Sequence, residues 1–235
     1  MVTLTPGFER LKGLIEKESD MSLIKAEQCL KEAALELADL MPYADFNHPI
    51  EDGYGRKMVV DDNHFEIMVM TWNPGDFSAV HDHGYTTWGA VQVFGNVMHH
   101  NFTMAQDRFR VTKKEILQDG AIVKVNNALI HQMGNVTSAP FLTVHLYGNN
   151  ERHGDITADS RIFDLASGLI KHTTGGAFFN LPAEVVYDIE KIPKIEYETL
   201  VHQSAILMQY YQRFDREKAD NLTRSVIDNL AIGQH

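Results

Sequence analysis

The sequence predicts a mainly β protein, in which a small β-barrel lies between two helical segments. From about residue 54 to 165, short stretches rich in Val, Phe, Thr and Met alternate with turn clusters such as NPGD at 73–76 and QDG at 118–120. Strands of this length at this spacing are typical of sandwiches and barrels. On both sides of this region, apolar residues recur at three- and four-residue spacing, which indicates helices.

These patterns divide the chain into three parts. The first is a helical segment over residues 1–45, the second is the barrel over 46–183, and the third is a helical extension over 184–235. The clearest strands within the barrel are expected at 66–72 (EIMVMTW), 87–95 (TWGAVQVFG) and 141–147 (FLTVHLY).

The two helical segments have different expected roles. Between Pro6 and Met41 two helices are expected, and Ser22 or Asp20 stands where the second would begin. Cys29, the single cysteine, is expected on the buried face of that helix. The apolar helices near 197–213 and 218–230 are expected to pack on the barrel or on a second copy of the chain, so a homo-oligomer is possible.

Composition excludes several classes of protein. The net charge of −11, from 32 acidic and 21 basic residues, disfavours binding to nucleic acid. No apolar run reaches the roughly 18 residues needed to cross a membrane, so no membrane span is expected. The charged N-terminus has no apolar core of a signal peptide, and one cysteine permits no internal disulfide. We therefore expect a cytoplasmic protein.

Twelve histidines are a high count for 235 residues, and two of them are close together in AVHDHG. His81 and His83 are two residues apart, so both imidazoles point to the same side of an extended strand. Imidazole nitrogens bind a divalent ion at about 2.0–2.2 Å. If a third histidine joins these two, coordination positions remain open on the ion for a substrate.

Two motifs resemble those of the cupin superfamily. The first is Gly75, His81, His83, Trp88 and Gly95, and the second is Gly120, His131 and Asn135. The resemblance implies a double-stranded β-helix, or jelly-roll, barrel with His81, His83 and His131 as metal ligands. Trp88 stands where many cupins have a glutamate ligand. A site with three histidines and no carboxylate remains more positive and so favours an anionic ligand such as a thiolate.

Within the cupins, the chain resembles the cysteine dioxygenase family. The run YGRKMVVDDNHFEIMVMTWNPGDFSAVHDHG, which begins at Tyr54, follows that family's pattern. The resemblance implies that Arg56, helped by Tyr54, binds the substrate carboxylate. A guanidinium matches a carboxylate through two parallel hydrogen bonds. The resemblance implies Fe(II) as cofactor, and a reaction that adds both atoms of O2 to the sulfur of a small thiol carboxylic acid, cysteine or a mercapto acid, to give a sulfinate.

The segment FLTVHLY resembles the family's Ser-x-His-x-Tyr signature. Thr143, His145 and Tyr147 would share one face of a strand, so the hydroxyl, imidazole and phenol can form a hydrogen-bonded chain. The resemblance implies that Tyr147, positioned by His145, orients or protonates the oxygen.

Trp88 departs from the family pattern because it stands where some members have a cysteine cross-linked to the tyrosine; we expect it to contact substrate instead. Gly148, Asn149 and Asn150 replace a Ser-Pro-Pro turn. These departures leave two alternatives open: another metal-dependent cupin enzyme that acts on a small non-thiol carboxylate, or a non-enzymatic cupin that binds a small molecule.

The remaining histidines have no spacing that indicates a site. His99 and His100 are adjacent, so at most one of them faces inward. Surface or capping roles are expected for these two and for His48, His64, His153, His172, His202 and His235.

Overall fold

In a computed structural model, the described residues are 3–151, 154–174 and 176–232, with side chains described up to residue 224. The α-helices are α1 (Pro6–Ile15), α2 (Leu23–Ala33), α3 (Leu37–Leu40), α4 (Tyr197–Tyr211) and α5 (Arg216–Ile232). The strands are β1 (Gly55–Asp61), β2 (Phe65–Trp72), β3 (Trp88–Phe94), β4 (Val97–Ala105), β5 (Arg108–Leu117), β6 (Ile122–Lys124), β7 (Ile130–Gly134), β8 (Phe141–Gly148), β9 (Ser160–Asp164), β10 (Leu169–Thr173) and β11 (Val186–Lys191). Short 3₁₀ helices lie at Met41–Tyr43, Ile50–Asp52 and Ala183–Val185.

The strands form three antiparallel sheets. Their orders are β1-β2-β8-β3-β6, β5-β4-β7 and β11-β10-β9. One apolar cluster joins side chains from the first two sheets, including Met68 and Val91 from one and Val97 and Met133 from the other. This cluster is the barrel interior. The expected mainly β barrel, with helices before and after it, is confirmed.

The five-stranded sheet is covered on both faces, which explains why every residue of β8 is buried. Leu142, Val144 and Leu146 pack in the cluster that includes α1 and α2. The alternate positions Thr143, His145 and Tyr147 therefore point into the barrel, because successive side chains of a strand face opposite sides. The N-terminal helices thus cover the outside of the sheet whose inside carries polar groups.

The N-terminal helices follow the sequence expectation. Ser22 is the N-cap of α2, where its hydroxyl accepts a hydrogen bond from the backbone N–H of Lys25 at 3.3 Å. Cys29 is buried on that helix. The short α3 is an addition to the two helices predicted.

The C-terminal extension differs from its prediction at its start. Residues 186–191 form β11, which pairs with β10, so the helical part begins only at Tyr197. Helix α4 packs against the barrel through a cluster that contains Phe77, Met98, Leu207 and Tyr210. Among the described residues, no helix is both long and apolar enough to cross a membrane.

Candidate active site

Three histidines from two chain segments meet at the barrel interior. The backbones of His81 and His131 exchange two hydrogen bonds, each 2.9 Å long, and His83 follows two residues after His81. The three ring centroids are 4.7–5.0 Å apart. One nitrogen from each ring lies within 4.8 Å of the others, so the three histidines could hold a metal ion.

The orientation of the rings fits a shared ion. His81 Nδ1 donates to the backbone oxygen of Ala79 at 2.9 Å, and His131 Nδ1 lies 3.0 Å from His99 Nε2. Both Nε2 atoms are thereby left for a ligand. The Nε2 atoms of His83 and His131 are 3.1 Å apart. Two ligands at a right angle, each about 2.1 Å from one ion, are about 3.0 Å apart, so the spacing suits a metal site.

The protonation state also suits metal binding. Burial lowers the pKa of His81 to about 4. Burial, aided by repulsion from neighbouring histidines, lowers the pKa values of His83 and His131 well below their usual range. All three imidazoles are therefore neutral near pH 7 and keep a lone pair for a metal.

A hydrogen-bonded chain runs along the inner face of β8, as predicted. Trp72 Nε1 donates to Thr143 Oγ1 at 3.0 Å, Thr143 Oγ1 lies 2.8 Å from His145 Nε2, and His145 Nδ1 lies 2.6 Å from the hydroxyl of Tyr147. Because the Trp72 nitrogen only donates, Thr143 can direct its own proton toward His145, and His145 can donate to the Tyr147 oxygen. The hydroxyl hydrogen of Tyr147 then remains for a group in the barrel.

Burial keeps the members of this chain uncharged. It lowers the pKa of His145 to about 3 and raises the pKa of Tyr147 well above its usual value. The ring centroid of Tyr147 is 5.3 Å from that of His83. A neutral phenol, held by His145, thus lies next to a candidate metal ligand and can donate a proton or a hydrogen bond.

A small cavity of about 30 Å³ joins these groups. His81, His83, His145 and Tyr147 lie along one part of its wall. The rest of the wall consists of Tyr54, Arg56, Met68, Met70, Trp72, Ser78, Asp82, Met133, Thr157, Ser160 and Ala177. A cavity of this volume accommodates only a small ligand.

Arg56 brings a positive charge to this cavity. It lies on β1 opposite Met70 of β2, and both side chains line the cavity. Within the described part of the chain, its guanidinium makes no hydrogen bond or ion pair, so its donors remain available for an anion. Tyr54 is more constrained: its hydroxyl accepts a hydrogen bond from the backbone N–H of Ala177 at 3.0 Å, and its ring stacks on Trp72.

Trp88 does not lie in the cavity. It is opposite Gly148 in the sheet, and its ring covers that glycine on the face that packs beneath the N-terminal helices. The expected contact between Trp88 and substrate is not supported by this position. Gly89 is the residue opposite Tyr147, and a Cβ there would lie 2.4 Å from the backbone oxygen of Leu146.

Other residues of the site were missed from sequence. Met68 and Met70 could have been found, because they alternate along β2 in a segment already assigned as a strand. Thr157 and Ser160 come from the loop before β9 and its first residue, where no motif is visible. Thr157 is fixed there by a 3.2 Å hydrogen bond from its hydroxyl to the buried carboxylate of Glu66.

The assignments of the other histidines change in part. His99 faces inward against His131, and His100 faces the other way and lies 3.0 Å from His202 of α4. At most one of the adjacent pair was expected to face inward, and this is confirmed, but the surface role is wrong for both because His99 and His100 are buried. His48 is also not on the surface, since its buried side chain pairs with Asp76 at 3.0 Å. His153 and His235 lie outside the described residues.

Several solved structures are similar to this chain at low identity. A Klebsiella pneumoniae protein with a double-stranded β-helix domain is 18% identical, with a TM-score of 0.38 over 48% of this chain and 89% of that one. A Thermus thermophilus protein is 16% identical, with a TM-score of 0.39 over 48% and 97%. An oxalate oxidase is 11% identical, with a TM-score of 0.44 over 84% of each chain. These values say nothing about substrate.

The family comparison is more specific. The model of the family described as cysteine dioxygenase type I matches residues 12–150, which is more than half of the chain. The matched range contains all three candidate metal ligands, Arg56 and the hydrogen-bonded chain that ends at Tyr147. The chain therefore belongs to the cysteine dioxygenase type I family.

Proposed function

We propose that this protein is an iron(II)-dependent thiol dioxygenase that converts a small thiol carboxylic acid, either cysteine or a mercapto acid, to its sulfinate. Family membership and the three-histidine cluster support a metal-dependent oxidation of a thiol. The finer assignment rests on one observation. The guanidinium of Arg56, which has no partner among the described residues, lines the same small cavity as the candidate metal ligands His81 and His83 and the phenol of Tyr147.

The ligand set suits this chemistry. The three neutral imidazoles of His81, His83 and His131 bring no negative charge to the site. A divalent ion held by them would keep its positive charge and could therefore accept an anionic thiolate. Bound iron(II) would supply the redox chemistry by which dioxygen reacts with the sulfur. Three imidazoles also suit zinc, nickel or copper, so iron is proposed on family membership.

The remaining residues have separable roles in the proposal. Arg56 binds the carboxylate and so fixes the distance between the acid group and the metal. Tyr147, held by His145 and Thr143, donates a hydrogen bond to the reacting oxygen or sulfur. Three methionines, Met68, Met70 and Met133, supply apolar surface to the cavity wall around these groups. The cavity size restricts the substrate to a few heavy atoms.

The test is oxygen consumption by the iron(II)-loaded protein with cysteine, 3-mercaptopropionate, mercaptosuccinate and cysteamine, with sulfinate measured as product. We expect turnover with at least one thiol acid and little with cysteamine, which has no carboxylate. No oxygen consumption with any thiol would refute the proposal.

Arg56→Met tests how the acid is recognised, and Lys57→Met is its matched control. Lys57 is an exposed neighbour on the same strand, so its substitution removes the same charge from the other side of β1. Arg56→Met should raise KM for the acid at least about tenfold, because a charge-assisted hydrogen bond contributes about 1.5–3 kcal/mol. Equal effects of the two substitutions would remove Arg56 from this role.

A further inference from the structure

A hydrogen-bonded chain connects the candidate metal ligand His131 to the protein surface. Behind its metal-facing Nε2, the Nδ1 of His131 lies 3.0 Å from His99 Nε2. His99 Nδ1 lies 3.1 Å from Glu115 Oε1. His131 and His99 are each only 1% exposed, whereas the side chain of Glu115 is 25% exposed. The chain therefore passes from a buried ligand through a buried imidazole to a carboxylate that reaches solvent.

The sheet β5-β4-β7 produces this alignment. His99 on β4 is directly opposite Glu115 on β5, and Asn101 of β4 is opposite His131 on β7. His99 is therefore the diagonal neighbour of His131, within the reach of side chains across adjacent strands. The inward direction of His99 follows from the alternation that turns His100 toward α4.

The carboxylate of Glu115 determines the direction of the hydrogen bonds between these side chains. An ionised carboxylate only accepts hydrogen bonds, so His99 donates to it from Nδ1. His99 Nε2 then accepts from His131 Nδ1, which leaves the lone pair of His131 Nε2 for a metal. Partial burial acts to raise the pKa of Glu115, but hydrogen bonds from Lys113 and His99 lower it overall, so the carboxylate is ionised at neutral pH.

The other candidate ligands are supported differently. His81 donates its Nδ1 hydrogen to the neutral backbone oxygen of Ala79. Among the described residues, His131 is the ligand whose support ends at a carboxylate. A hydrogen bond to an anionic acceptor pulls the proton from Nδ1 and increases the basicity of the opposite nitrogen. By this effect His131 should be a stronger donor to a metal than His81, whose Nδ1 donates to a neutral oxygen.

We infer that Glu115 and His99 are positioning residues that fix the tautomer of His131 and supply, from behind one ligand, the negative charge that the three-histidine set lacks. This inference rests on the metal site of the proposed function, although it does not depend on the substrate. Glu115 touches no reacting atom, so its effect passes through His99 and His131 to the bound metal.

The experiment uses Glu115→Gln, with Glu198→Gln as its matched control. Glutamine keeps an oxygen acceptor for His99 but removes the charge, and Glu198 is an exposed carboxylate on α4. Affinity for Fe(II) or Co(II) alone is measured by competition with a chelator, and the Fe(III)/Fe(II) midpoint potential is measured on the loaded protein.

We expect Glu115→Gln to weaken metal binding about tenfold, the lower end of the 10- to 100-fold range for groups behind a ligand. The midpoint potential should rise, because less negative charge favours Fe(II), while the thermal midpoint of the metal-free protein stays unchanged. A purely structural role would not move the potential. His99→Phe, if it folds, should weaken binding further, toward about 100-fold.

The outcomes separate this inference from the proposed function. If Glu115→Gln and Glu198→Gln both match the unsubstituted protein in metal affinity and potential, the inference is wrong while the proposed function stands. If the unsubstituted protein binds neither metal, both are wrong. If Glu115→Gln has the expected effects but no thiol drives oxygen consumption, the inference is supported and the thiol dioxygenase assignment is refuted.

Discussion

The part of the chain that matches the family model and the part that follows it contribute differently to one site. Residues 12–150 supply the three histidines, Arg56 and Tyr147. The part after residue 150 supplies Thr157, Ser160 and Ala177, which complete the cavity wall but carry no group suited to binding a metal there. Residues in recognisable motifs therefore supply the reactive groups of this site, whereas residues outside any motif enclose it.

The same two regions also differ in their histidine clusters. In the matched part, His83 and His131 are buried, His81 is half-buried, and all three are uncharged. In the following part, His172 of β10 lies with Asp188 and Glu190 of the exposed strand β11, in a second group whose ligand atoms are within 4.8 Å of one another. Both ring nitrogens of His172 are already hydrogen-bonded, to Asp159 and Glu190. We therefore expect these two clusters to behave oppositely toward metals and protons.

The largest expected effect is loss of metal from the barrel. His131→Ala removes one of three ligands and the partner of His99, so the purified protein should lose most of its bound metal. His172→Ala should keep a full equivalent. Metal content by elemental analysis after dialysis checks both. A full equivalent in His131→Ala, or a loss in His172→Ala, would reverse the assignment of the two clusters.

The pH dependence of stability should next distinguish the buried histidines of the barrel from His172. Burial lowers the pKa of His81 and of His100 to about 4 and that of His145 to about 3. Their unfolded values are near 6.5, so the unfolded chain binds more protons and stability falls as pH drops from about 6.5 toward 4. Each group contributes up to about 1.4 kcal/mol per pH unit in that window. Urea unfolding of the metal-free protein measures the slope, and His100→Gln should reduce it.

His172 should have the opposite sign. Partial burial opposes protonation, but hydrogen bonds to Asp159 and Glu190 raise the pKa of His172 overall. A raised folded pKa gives stability that is complete below the unfolded value and lost as pH rises through the folded one. His172→Gln should therefore destabilise the protein more at pH 5.5 than at pH 8, as measured by urea unfolding. Equal destabilisation at both pH values would show that the charge of His172 contributes nothing to stability.

Sequence reasoning succeeded where residue identity and strand alternation agree. The two-residue spacing of His81 and His83, the resemblance of the segment around His131 to a cupin motif, and the alternation of Thr143, His145 and Tyr147 predicted neighbours that the structure brings together. It failed at Trp88, since counting from His83 through the turn at residues 84–87 cannot determine which face of β3 a residue takes. Such a shift by one residue moves a side chain to the other side of the sheet.

Other failures have a different cause. His99 reaches His131, and Thr157 reaches Glu66, only because separate strands and a loop are brought together by the fold. Neither pair leaves a local pattern in the sequence. The strand at 186–191 was missed because it is short and almost wholly exposed, so the alternation of Tyr187 and Ile189 with charged residues marks no buried face.

The next prediction concerns the contact between Gly84 and Ala158, where the two regions meet. Gly84 follows the ligand His83 at a φ of +53°, and a Cβ there would lie 1.9 Å from the backbone oxygen of Ala158. Gly84→Ala must therefore move the loop that carries Thr157, and it should cost about 3 kcal/mol or more. Gly120→Ala is the control, because Gly120 has a φ of +79° and open space around it. It should cost only about 1–2 kcal/mol, for backbone strain alone.

Urea unfolding measures both glycine variants, and oxygen consumption shows whether the cavity wall has moved. If the two substitutions cost the same, the contact between Gly84 and Ala158 does not hold the loop. The two regions would then share a cavity wall without depending on each other for its position.

The smallest expected effect is the loss of stability when a hydrogen bond between α4 and the barrel is removed. The side chain of Gln203 donates to Gln132 Oε1 at 2.8 Å, and Gln132 donates to the backbone oxygen of Ser78 at 2.9 Å. Gln132 is next to His131, and both glutamines are buried. Gln203→Leu leaves the Gln132 oxygen without its donor and should cost about 1–3 kcal/mol. Gln209→Leu, at an exposed position of the same helix, should stay within about 0.5 kcal/mol.

A double-mutant cycle measures the coupling between Gln203 and Gln132. Because Gln203 and Gln132 share one hydrogen bond, the double replacement by leucine should cost less than the sum of the single replacements. If unfolding remains a single transition with a lower midpoint, α4 belongs to the same cooperative unit as the barrel. Additive costs, or a separate early transition of the helices, would instead make the C-terminal part an independent addition to the matched region.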